Sequence, residues 1–376
     1  MRNNLAREIV WELLLNETFP SRLLSNRLEQ HGASPQDHAF SKELLYGCLR
    51  WHYSFQHIAS VYSSKKLKTR EVQWAVSMGL YQIFAMTSVP PHAAIYETIE
   101  AAKFDLKQQK GAVNAILREV LRGIVSSEPQ IFDERSFFKP FKVYFSRPVF
   151  ADKEVCLSQY LAQQYSYSEY LISRWLDRIG EKKTTNRLNI FNRPAITWKR
   201  NNVIAVPGSV PYEIFTHQQG LPISDSPGFK EGLWSIQDRT SLESAYIAKV
   251  KPGETLIDLC AAPGGKSFAI YEALKGAVKI TACDVNFSRL ETMKLEGKRL
   301  GHDISYQEIG PEGHGVPQKN FDWVVCDVPC SNTGVLHKRP EARLRFNKKF
   351  LHQIESTQNV FRKKNPDIAV TTKYLL

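Results

Sequence analysis

The sequence lacks any long apolar run, since no stretch of about 18 or more consecutive apolar residues occurs among its 376 residues. A transmembrane helix needs about 20 such residues, so this absence argues against a membrane-spanning protein. The amino terminus, Met1-Arg2-Asn3-Asn4, leads into a helical pattern and lacks the apolar core of a signal peptide. Together the two absences predict a cytoplasmic protein.

Closely spaced cysteines are missing as well. The six cysteines are scattered at positions 48, 156, 260, 283, 326 and 330, and no two of them form a C-x-x-C pair. Zinc sites commonly contain such pairs, so the spacing predicts that the protein holds no metal. Scattered cysteines in a cytosolic protein are typical of reduced thiols rather than disulfides.

Acidic residues are in the minority, with 38 Asp and Glu against 50 Lys and Arg, which gives a formal net charge of +12. Nine basic and two acidic residues lie between His337 and Lys364. Clustering of this kind favours contact with the phosphates of a nucleic acid, although a solvated basic surface would give the same net charge. The candidate phosphate-contacting residues are Lys338, Arg339, Arg343 and Arg345.

Helical spacing of apolar residues dominates the first third of the chain. Stripes such as Val72, Val76 and Leu80 predict amphipathic helices. The helical period then fades into a segment rich in proline and aromatic residues, which is typical of an extended connection. The predicted division is a helical domain over 1–126, a connector over 127–150, a small intermediate region over 151–235 and an α/β domain over 236–376.

The most informative segment of the α/β part is DLCAAPGGKS, residues 258–267. Apolar residues around Asp258 predict the end of a buried strand, Gly264-Gly265 predicts a sharp turn, and 268–274 has a helical pattern. A strand, a glycine turn and a helix form the first half of a Rossmann-type unit. Adjacent glycines let a ligand approach the backbone, and the start of the helix offers free amide donors.

Three ligands are candidates for such a turn. A phosphate-binding loop requires a glycine where this sequence has Cys260, and the dinucleotide pattern G-x-G-x-x-G is absent. The third candidate is S-adenosylmethionine, which has no phosphate and is held by carboxylates and backbone amides. A tight turn without any ligand is the structural alternative.

Two further acidic residues follow predicted strands. A strand over 279–284 ends at Asp284, twenty residues past Gly264, where an acid can receive ribose hydroxyls. Asp284 could also cap the helix that follows it, and both roles are compatible. A strand from Phe321 ends in D-x-P-C-S-x-x-G at 327–334, on the sheet edge where α/β enzymes place their chemistry.

These strings carry a family resemblance. DLCAAPGGKS and DVPCSNTG (327–334) resemble the cofactor motif and the fourth motif of the RNA cytosine-C5 methyltransferases. FSKELLYGCLR at 40–50 and NAILR at 114–118 resemble the NusB-like domain. A NusB-like domain before the catalytic domain is the order of the RsmB-like (NusB/Sun) ribosomal RNA methyltransferases, and the resemblance spans residues 1 to about 345.

The resemblance implies an α + α/β protein, with an all-helical NusB-like domain followed by a Rossmann-like class I methyltransferase domain. It implies S-adenosyl-L-methionine-dependent methylation of cytosine C5 in small-subunit (16S) ribosomal RNA, with no metal and no membrane partner. The implied catalytic residues are Cys330 and Asp327. The implied cofactor-binding residues are Cys260, Ala261, Ala262, Pro263, Gly264, Gly265, Lys266, Asp284 and Asp327.

The sequence departs from the family pattern in two places. Gly310-Pro311-Glu312 stands where a third cofactor-binding acid is expected, which makes Glu308 and Glu312 candidate substitutes. The family's nucleophile belongs to a Thr-Cys element, but this chain has Thr371-Thr372-Lys373 there, and Cys330 is its last cysteine. No closing strands are predicted, so a truncated or divergent carboxyl terminus is expected.

Three hypotheses about function stay open at this point. The first is a cytosine-C5 methyltransferase that uses Cys330 as its nucleophile or has lost activity by truncation. The second is a catalytically impaired homologue that acts as an RNA-binding or ribosome-assembly protein. The third is an unrelated nucleotide-binding enzyme.

Overall fold

The computed structural model describes residues 4–17, 19–64, 67–125, 134–137, 141–215, 223–310, 314–317, 320–364 and 373–375. The chain folds into two compact units. The first unit contains residues 1–195 and 331–350, and the second contains 196–330 and 351–376.

Seven helices that follow the apolar stripes of the sequence form the described beginning of the first unit. Their bounds are α1 Leu5–Asn16, α2 Pro20–Gln30, α3 Pro35–Tyr62, α4 Arg70–Ala85, α5 Pro91–Ala101, α6 Lys103–Leu106 and α7 Lys110–Gly123, with a 3₁₀ turn at Lys107–Gln109. Their apolar faces meet in one core, where Trp11, Phe55 and Leu117 are buried. Burial of each such side chain stabilises the fold by about 1.5–3 kcal/mol.

Local sequence explains how α3 starts and how closely α4 packs on it. Ser34 Oγ accepts the N–H of Asp37 at 3.1 Å, and the Asp37 carboxylate accepts the N–H of Ser34 at 3.0 Å. This reciprocal pair is a capping box. In mid-helix, a Cβ at Gly47 would overlap the ring of Tyr81 from α4, so only glycine permits this approach.

The first unit continues with a small antiparallel sheet and two helices. The sheet has the order β1-β3-β2, from strands β1 Ile124–Val125, β2 Ser136–Phe137 and β3 Val143–Phe145. The helices are α8 Leu157–Tyr165 and α9 Glu169–Phe191. Gly180 interrupts α9 with φ +73°, a backbone conformation that favours glycine, so α9 bends at this position.

The second unit opens with another antiparallel sheet, of order β5-β4-β6. Its strands are β4 Trp198–Asn201, β5 Tyr212–Ile214 and β6 Trp234–Ile236, and a 3₁₀ turn at Ile223–Asp225 and the short helix α10 Pro227–Lys230 precede β6. Helix α11, Arg239–Ile247, follows. The Asp238 carboxylate caps it by accepting the N–H of Thr240 at 2.8 Å and of Ser241 at 3.3 Å.

A five-stranded parallel sheet forms the rest of the second unit, in the order β11-β10-β7-β8-β9. Its elements in chain order are β7 Thr255–Asp258, α12 Gly265–Ala273, β8 Lys279–Asp284, α13 Phe287–Leu300, β9 Ser305–Glu308 and β10 Trp323–Val325, and after α14 Ala342–Arg345 and α15 Lys348–Lys364 comes β11 Lys373–Leu375. Leu256, Phe268 and Ile280 are buried in the core between the sheet and its helices.

The order of strands places a crevice beside β7. The chain leaves β7 through α12 towards β8 on one side, whereas β10 pairs with β7 on the other. In open α/β sheets, ligands bind at such a reversal, outside the carboxyl ends of the strands. The predicted fold class, a helical domain followed by a Rossmann-like sheet, is confirmed. β11 is a strand that the sequence did not predict.

The two units divide the chain differently from the four predicted segments. The first unit extends to residue 195, whereas the small sheet β4–β6 belongs with the parallel sheet. The chain also returns to the first unit over 331–350, directly after Cys330, and α14 lies in this returning segment. The side chain of Arg343, described below, gives the physical reason for this return.

Candidate active site at the carboxyl edge of the parallel sheet

The turn between β7 and α12 has the shape that its glycines predict. Gly264 has φ +104°, and a Cβ at this position would overlap the ring of Phe268 and press on Met293 at 3.0 Å. Helix α12 starts at Gly265, so the amides of its first turn have no partners within the helix. Amides of this kind favour a negatively charged ligand group.

Asp258 at the end of β7 closes this turn from inside. Its side chain is buried, with one carboxylate oxygen accepting the Ser267 hydroxyl at 2.6 Å and the other the Cys260 N–H at 3.3 Å. Burial raises the pKa of Asp258 to about 6, against the lowering effect of these hydrogen bonds. The side chain therefore joins both ends of the turn and stays away from the solvent.

Lys266 and Asp327 join the turn to the segment after β10. Lys266 Nζ lies 2.6 Å from the Asp327 carboxylate, and Lys266 is 17% exposed whereas Asp327 is 59% exposed. β7 and β10 are neighbours in register, with Val325 opposite Asp258, which brings the two motifs together. The exposed carboxylate can still accept donors from a ligand.

Cys260 and Cys326 also meet at this edge of the sheet. The hydrogen bond between the two thiols raises the pKa of Cys260 and lowers that of Cys326, because Cys260 donates and Cys326 accepts. Cys326 is buried, whereas Cys260 is partly exposed. Cys330, in contrast, is exposed, so its thiol is the most accessible of the three.

Asp284, at the end of β8, is buried. Its two carboxylate oxygens accept the N–H groups of Ala262 at 3.1 Å and Asn286 at 3.0 Å. Each oxygen of an ionised carboxylate can accept a second hydrogen bond, so ribose binding by Asp284 stays a prediction. Its expected capping role falls to Asn286, whose side chain accepts the N–H of Arg289 at 3.0 Å.

The other predicted cofactor residues lie along the same turn. Ala261 and Ala262 are buried, whereas Pro263 is exposed. Glu308 ends β9 with an exposed side chain, and Glu312 lies outside the described residues.

A buried ionic network below the turn was missed by the sequence analysis. Arg200 of β4 donates to the Gly265 carbonyl at 3.2 Å and to the side chain of Gln237. Its Nε lies 2.9 Å from the Glu272 carboxylate, which also lies 3.2 Å from His302 Nε2. Glu272 lies among apolar residues of α12. Because a buried carboxylate needs a charged or hydrogen-bonding partner, its position in the sequence could have indicated such a network.

The four candidate phosphate-contacting residues belong to the first unit, and none has a fully exposed side chain. Arg343 is 1% exposed, which contradicts its expected place on a phosphate-contacting face. Lys338, Arg339 and Arg345 are partly buried. The charge cluster in the sequence therefore does not correspond to one exposed surface, because one of its members is a core residue.

The described part of the chain contains neither a metal-binding cluster nor a membrane-spanning helix. No group of three or more His, Cys, Asp or Glu side chains there is placed to hold a metal ion. The helices of the described residues all fall short of the length or the hydrophobicity that a membrane span requires.

Comparison with known proteins adds to this geometry. Residues 245–365 match the family described as 16S rRNA methyltransferase RsmB/F, and residues 4–122 match the NusB family. The chain is 27% identical to a probable ribosomal RNA small subunit methyltransferase B of Synechocystis, over 91% of this chain and 77% of that protein. It is 26% identical to the probable enzyme of the same name from Bacillus subtilis, over 93% and 78% of the two chains.

A solved structure, that of the protein PH0851, has a similar fold. The TM-score is 0.67 at 19% sequence identity, and the match covers 98% of this chain and 83% of the other. The NusB match lies within the first unit, and the RsmB/F match contains strands β7 to β10 of the parallel sheet in the second unit. The chain therefore contains a NusB-family domain followed by an RsmB/F-type domain, and these matches support an RsmB-like (NusB/Sun) ribosomal RNA methyltransferase.

Proposed function

We propose that this protein transfers a methyl group from S-adenosyl-L-methionine to cytosine C5 of small-subunit (16S) ribosomal RNA. The observation that carries the proposal is the Lys266–Asp327 pair at 2.6 Å, which joins the glycine turn to the D-x-P-C segment. A cofactor turn and a cysteine-bearing segment at one sheet edge suit a methyl transfer that needs a nucleophile. The RsmB/F match and the names of the relatives support ribosomal RNA as the substrate class.

The residues present fit this cofactor by their chemistry. The amides at the start of α12 suit the cofactor's carboxylate, because the first turn of a helix attracts anions. The exposed Asp327 carboxylate suits an ammonium group, and Asp284 retains lone pairs for ribose hydroxyls. The bound cofactor would supply an electrophilic methyl group on its sulfonium.

Cys330 is proposed as the nucleophile. Cytosine C5 is a weak nucleophile until a thiolate adds to C6, which gives C5 enamine character. After C5 is methylated, a base removes the C5 proton and the C6–S bond breaks, so that the thiolate is released. Asp327 would hydrogen-bond the cytosine edge, and the target base must leave its stacked position to reach these groups.

The alternative is a catalytically impaired homologue that acts as an RNA-binding or ribosome-assembly protein. It is favoured by Lys373, which follows Thr372 where the family would have its nucleophilic cysteine. Such a protein would bind the cofactor and the RNA and would transfer no methyl group.

The experiment is transfer of labelled methyl from S-adenosylmethionine to unmodified small-subunit ribosomal RNA by the full chain. Label on C5 of one cytosine is expected, and Cys330→Ala should abolish it. Cys156→Ala, which removes a partly exposed thiol of the first unit, is the control and should keep full transfer. Binding of cofactor and RNA without transfer would establish the alternative, and transfer by Cys330→Ala would exclude Cys330 as the nucleophile.

A further inference from the structure

An open cavity of about 480 Å³, lined by both polar and apolar side chains, lies within the first unit. Its wall includes Trp51 of α3, Tyr165 of α8, and Asn186, Asn189, Asn192 and Arg193 at the end of α9. The volume falls in the range of about 300–1,000 Å³ that small-ligand sites occupy. None of the described residues that line it is acidic.

The α9 side of the cavity presents side-chain amides and a cation. Asn186 and Asn189 are three residues apart on α9, so they share one helix face, and Arg193 follows two residues after the end of the helix. Tyr165 donates its hydroxyl to the Asn189 Oδ1 at 3.4 Å, which leaves the NH₂ group of Asn189 for a ligand. Asn186 and Arg193 are exposed. A carboxamide offers a donor and an acceptor in one plane, which suits the edge of a nucleobase.

Asn192 holds the cavity wall instead of facing a ligand. Its NH₂ group donates to the Tyr165 carbonyl at 2.9 Å, and its Oδ1 accepts the Tyr167 hydroxyl at 3.2 Å. This pair of hydrogen bonds ties the end of α9 to the end of α8. Trp51 is held by aromatic packing. The centre of its ring lies 4.9 Å from that of Phe141 and 5.6 Å from that of Phe137.

Arg343 fixes the backbone below the cavity. Its Nη2 donates to the Phe191 carbonyl at 2.8 Å, and its Nη1 donates to the carbonyls of Arg50 at 3.1 Å and Tyr165 at 3.4 Å. Each of these carbonyls belongs to a residue that lines the cavity or adjoins one that does. The three helices are therefore held in place before any ligand arrives, which lowers the entropic cost of binding.

The stretch of chain that forms the α9 side of the cavity is positively charged. The end of α9 and the residues just after it carry four basic side chains, namely Lys182, Lys183, Arg187 and Arg193. The one acid of this stretch, Glu181, is already paired with Lys153 at 3.2 Å. A cavity with side-chain amides on its wall and basic residues along the same stretch of chain suits a nucleobase and its neighbouring phosphates.

We propose that this cavity, the α9 cavity, is a second RNA-binding site that receives one unstacked nucleobase of single-stranded RNA. Asn186 and Asn189 contact the edge of the base, and Arg193 contacts a phosphate. The site would anchor the RNA strand through residues 186–193, which are remote in the protein sequence from the proposed methyl-transfer residues Asp327 and Cys330. The proposal rests on RNA being the substrate, as proposed above.

The test measures binding of fluorescent single-stranded fragments of unmodified small-subunit ribosomal RNA to the full chain, without cofactor. The double variant Asn186→Ala/Asn189→Ala should bind about tenfold more weakly. Arg193→Ala should weaken binding for all fragments and reduce the slope of log affinity against log salt by about one. The matched control is Arg22→Ala/Asn26→Ala, an exposed Arg–Asn pair four residues apart on α2, which should keep wild-type affinity.

A direct readout comes from photo-crosslinking with 4-thiouridine in the same fragments, which should label the peptide that contains residues 186–193. Equal affinity of the wild type and both cavity variants, or crosslinks only elsewhere, would overturn the α9 cavity as an RNA site and leave the proposed methyl transfer standing. Absence of RNA binding by the wild type would overturn the proposed function itself.

Discussion

The guanidinium of Arg343 donates a 2.8 Å hydrogen bond to the carbonyl oxygen of Phe191, the last residue of α9. It lies 4.1 Å from the centre of the Tyr167 ring, and none of the ion pairs found among the described residues involves it. Burial lowers the pKa of Arg343 to about 10, so the group stays charged at neutral pH. A buried cation that bonds only to carbonyls is costly, so its structural value lies in the backbone groups that it joins.

Replacing Arg343 should therefore destabilise the protein strongly. Arg343→Met keeps the apolar stem but removes the guanidinium donor from three carbonyls, of which only that of Tyr165 keeps the Asn192 amide. We expect the free energy of unfolding to fall by about 3 kcal/mol. Urea unfolding of the full chain, followed by circular dichroism, measures this. Arg345→Met is the control, since Arg345 is partly exposed and stacks on Phe19 at 4.3 Å. Equal losses in the two variants would contradict the assigned role.

The Arg200–Glu272 pair allows a sharper experiment, because both side chains are 2% exposed and 2.9 Å apart. Arg200→Met or Glu272→Met alone leaves a buried charge without its partner, and each should cost about 3–5 kcal/mol of unfolding free energy. The double variant should lose much less, because it buries no ion. Additive losses in the double variant would show that the pair is not coupled.

The same double variant separates stability from cofactor binding. Arg200 also donates to the Gly265 carbonyl, at the start of α12, and methionine cannot replace this bond. We expect the double variant to recover stability but to bind S-adenosylmethionine about tenfold more weakly, as measured by calorimetry. Full recovery of both properties would mean that Arg200 serves only to neutralise Glu272.

Lys266→Met tests the link between the glycine turn and the segment after β10. The pair with Asp327 is partly exposed, so its contribution is about 1 kcal/mol, and cofactor affinity should fall about fivefold. Titration calorimetry measures the dissociation constant. Lys294→Met, which removes an exposed ion pair with Glu291, is the control and should leave the affinity unchanged. An unchanged affinity in Lys266→Met would separate Lys266 from the cofactor site.

Asp258 should make stability depend on pH. Burial raises its pKa from 3.8 to about 6, so the folded state holds the proton more tightly than the unfolded chain does. The contribution to stability is complete below the unfolded pKa and is lost as the pH rises through the folded pKa, a change of about 3 kcal/mol. Relative to Asp258→Asn, the wild type should lose this amount between about pH 4 and pH 6.5 in urea unfolding. A difference that stays constant with pH would contradict the raised pKa.

Features set by neighbouring residues could be predicted from the sequence. The strand, glycine turn and helix around Asp258 follow from local rules, as do the helical stripes of the first unit. Arg343 could not be placed, because a buried arginine is rare and only distant carbonyls reveal its role. Arg200 and Glu272 are 72 residues apart, so only the folded sheet shows that they meet.

The return of residues 331–350 to the helical unit limits how this protein can be divided into separately expressed domains. The backbone passes between the two units three times, after residues 195, 330 and 350. Removing the first 195 residues would remove the three carbonyls that Arg343 of α14 binds. The Arg343 side chain, which is buried in the full protein, would then be exposed in the shortened one. Exchange of the helical unit between homologues would thus need two grafts, one of them beginning immediately after Cys330.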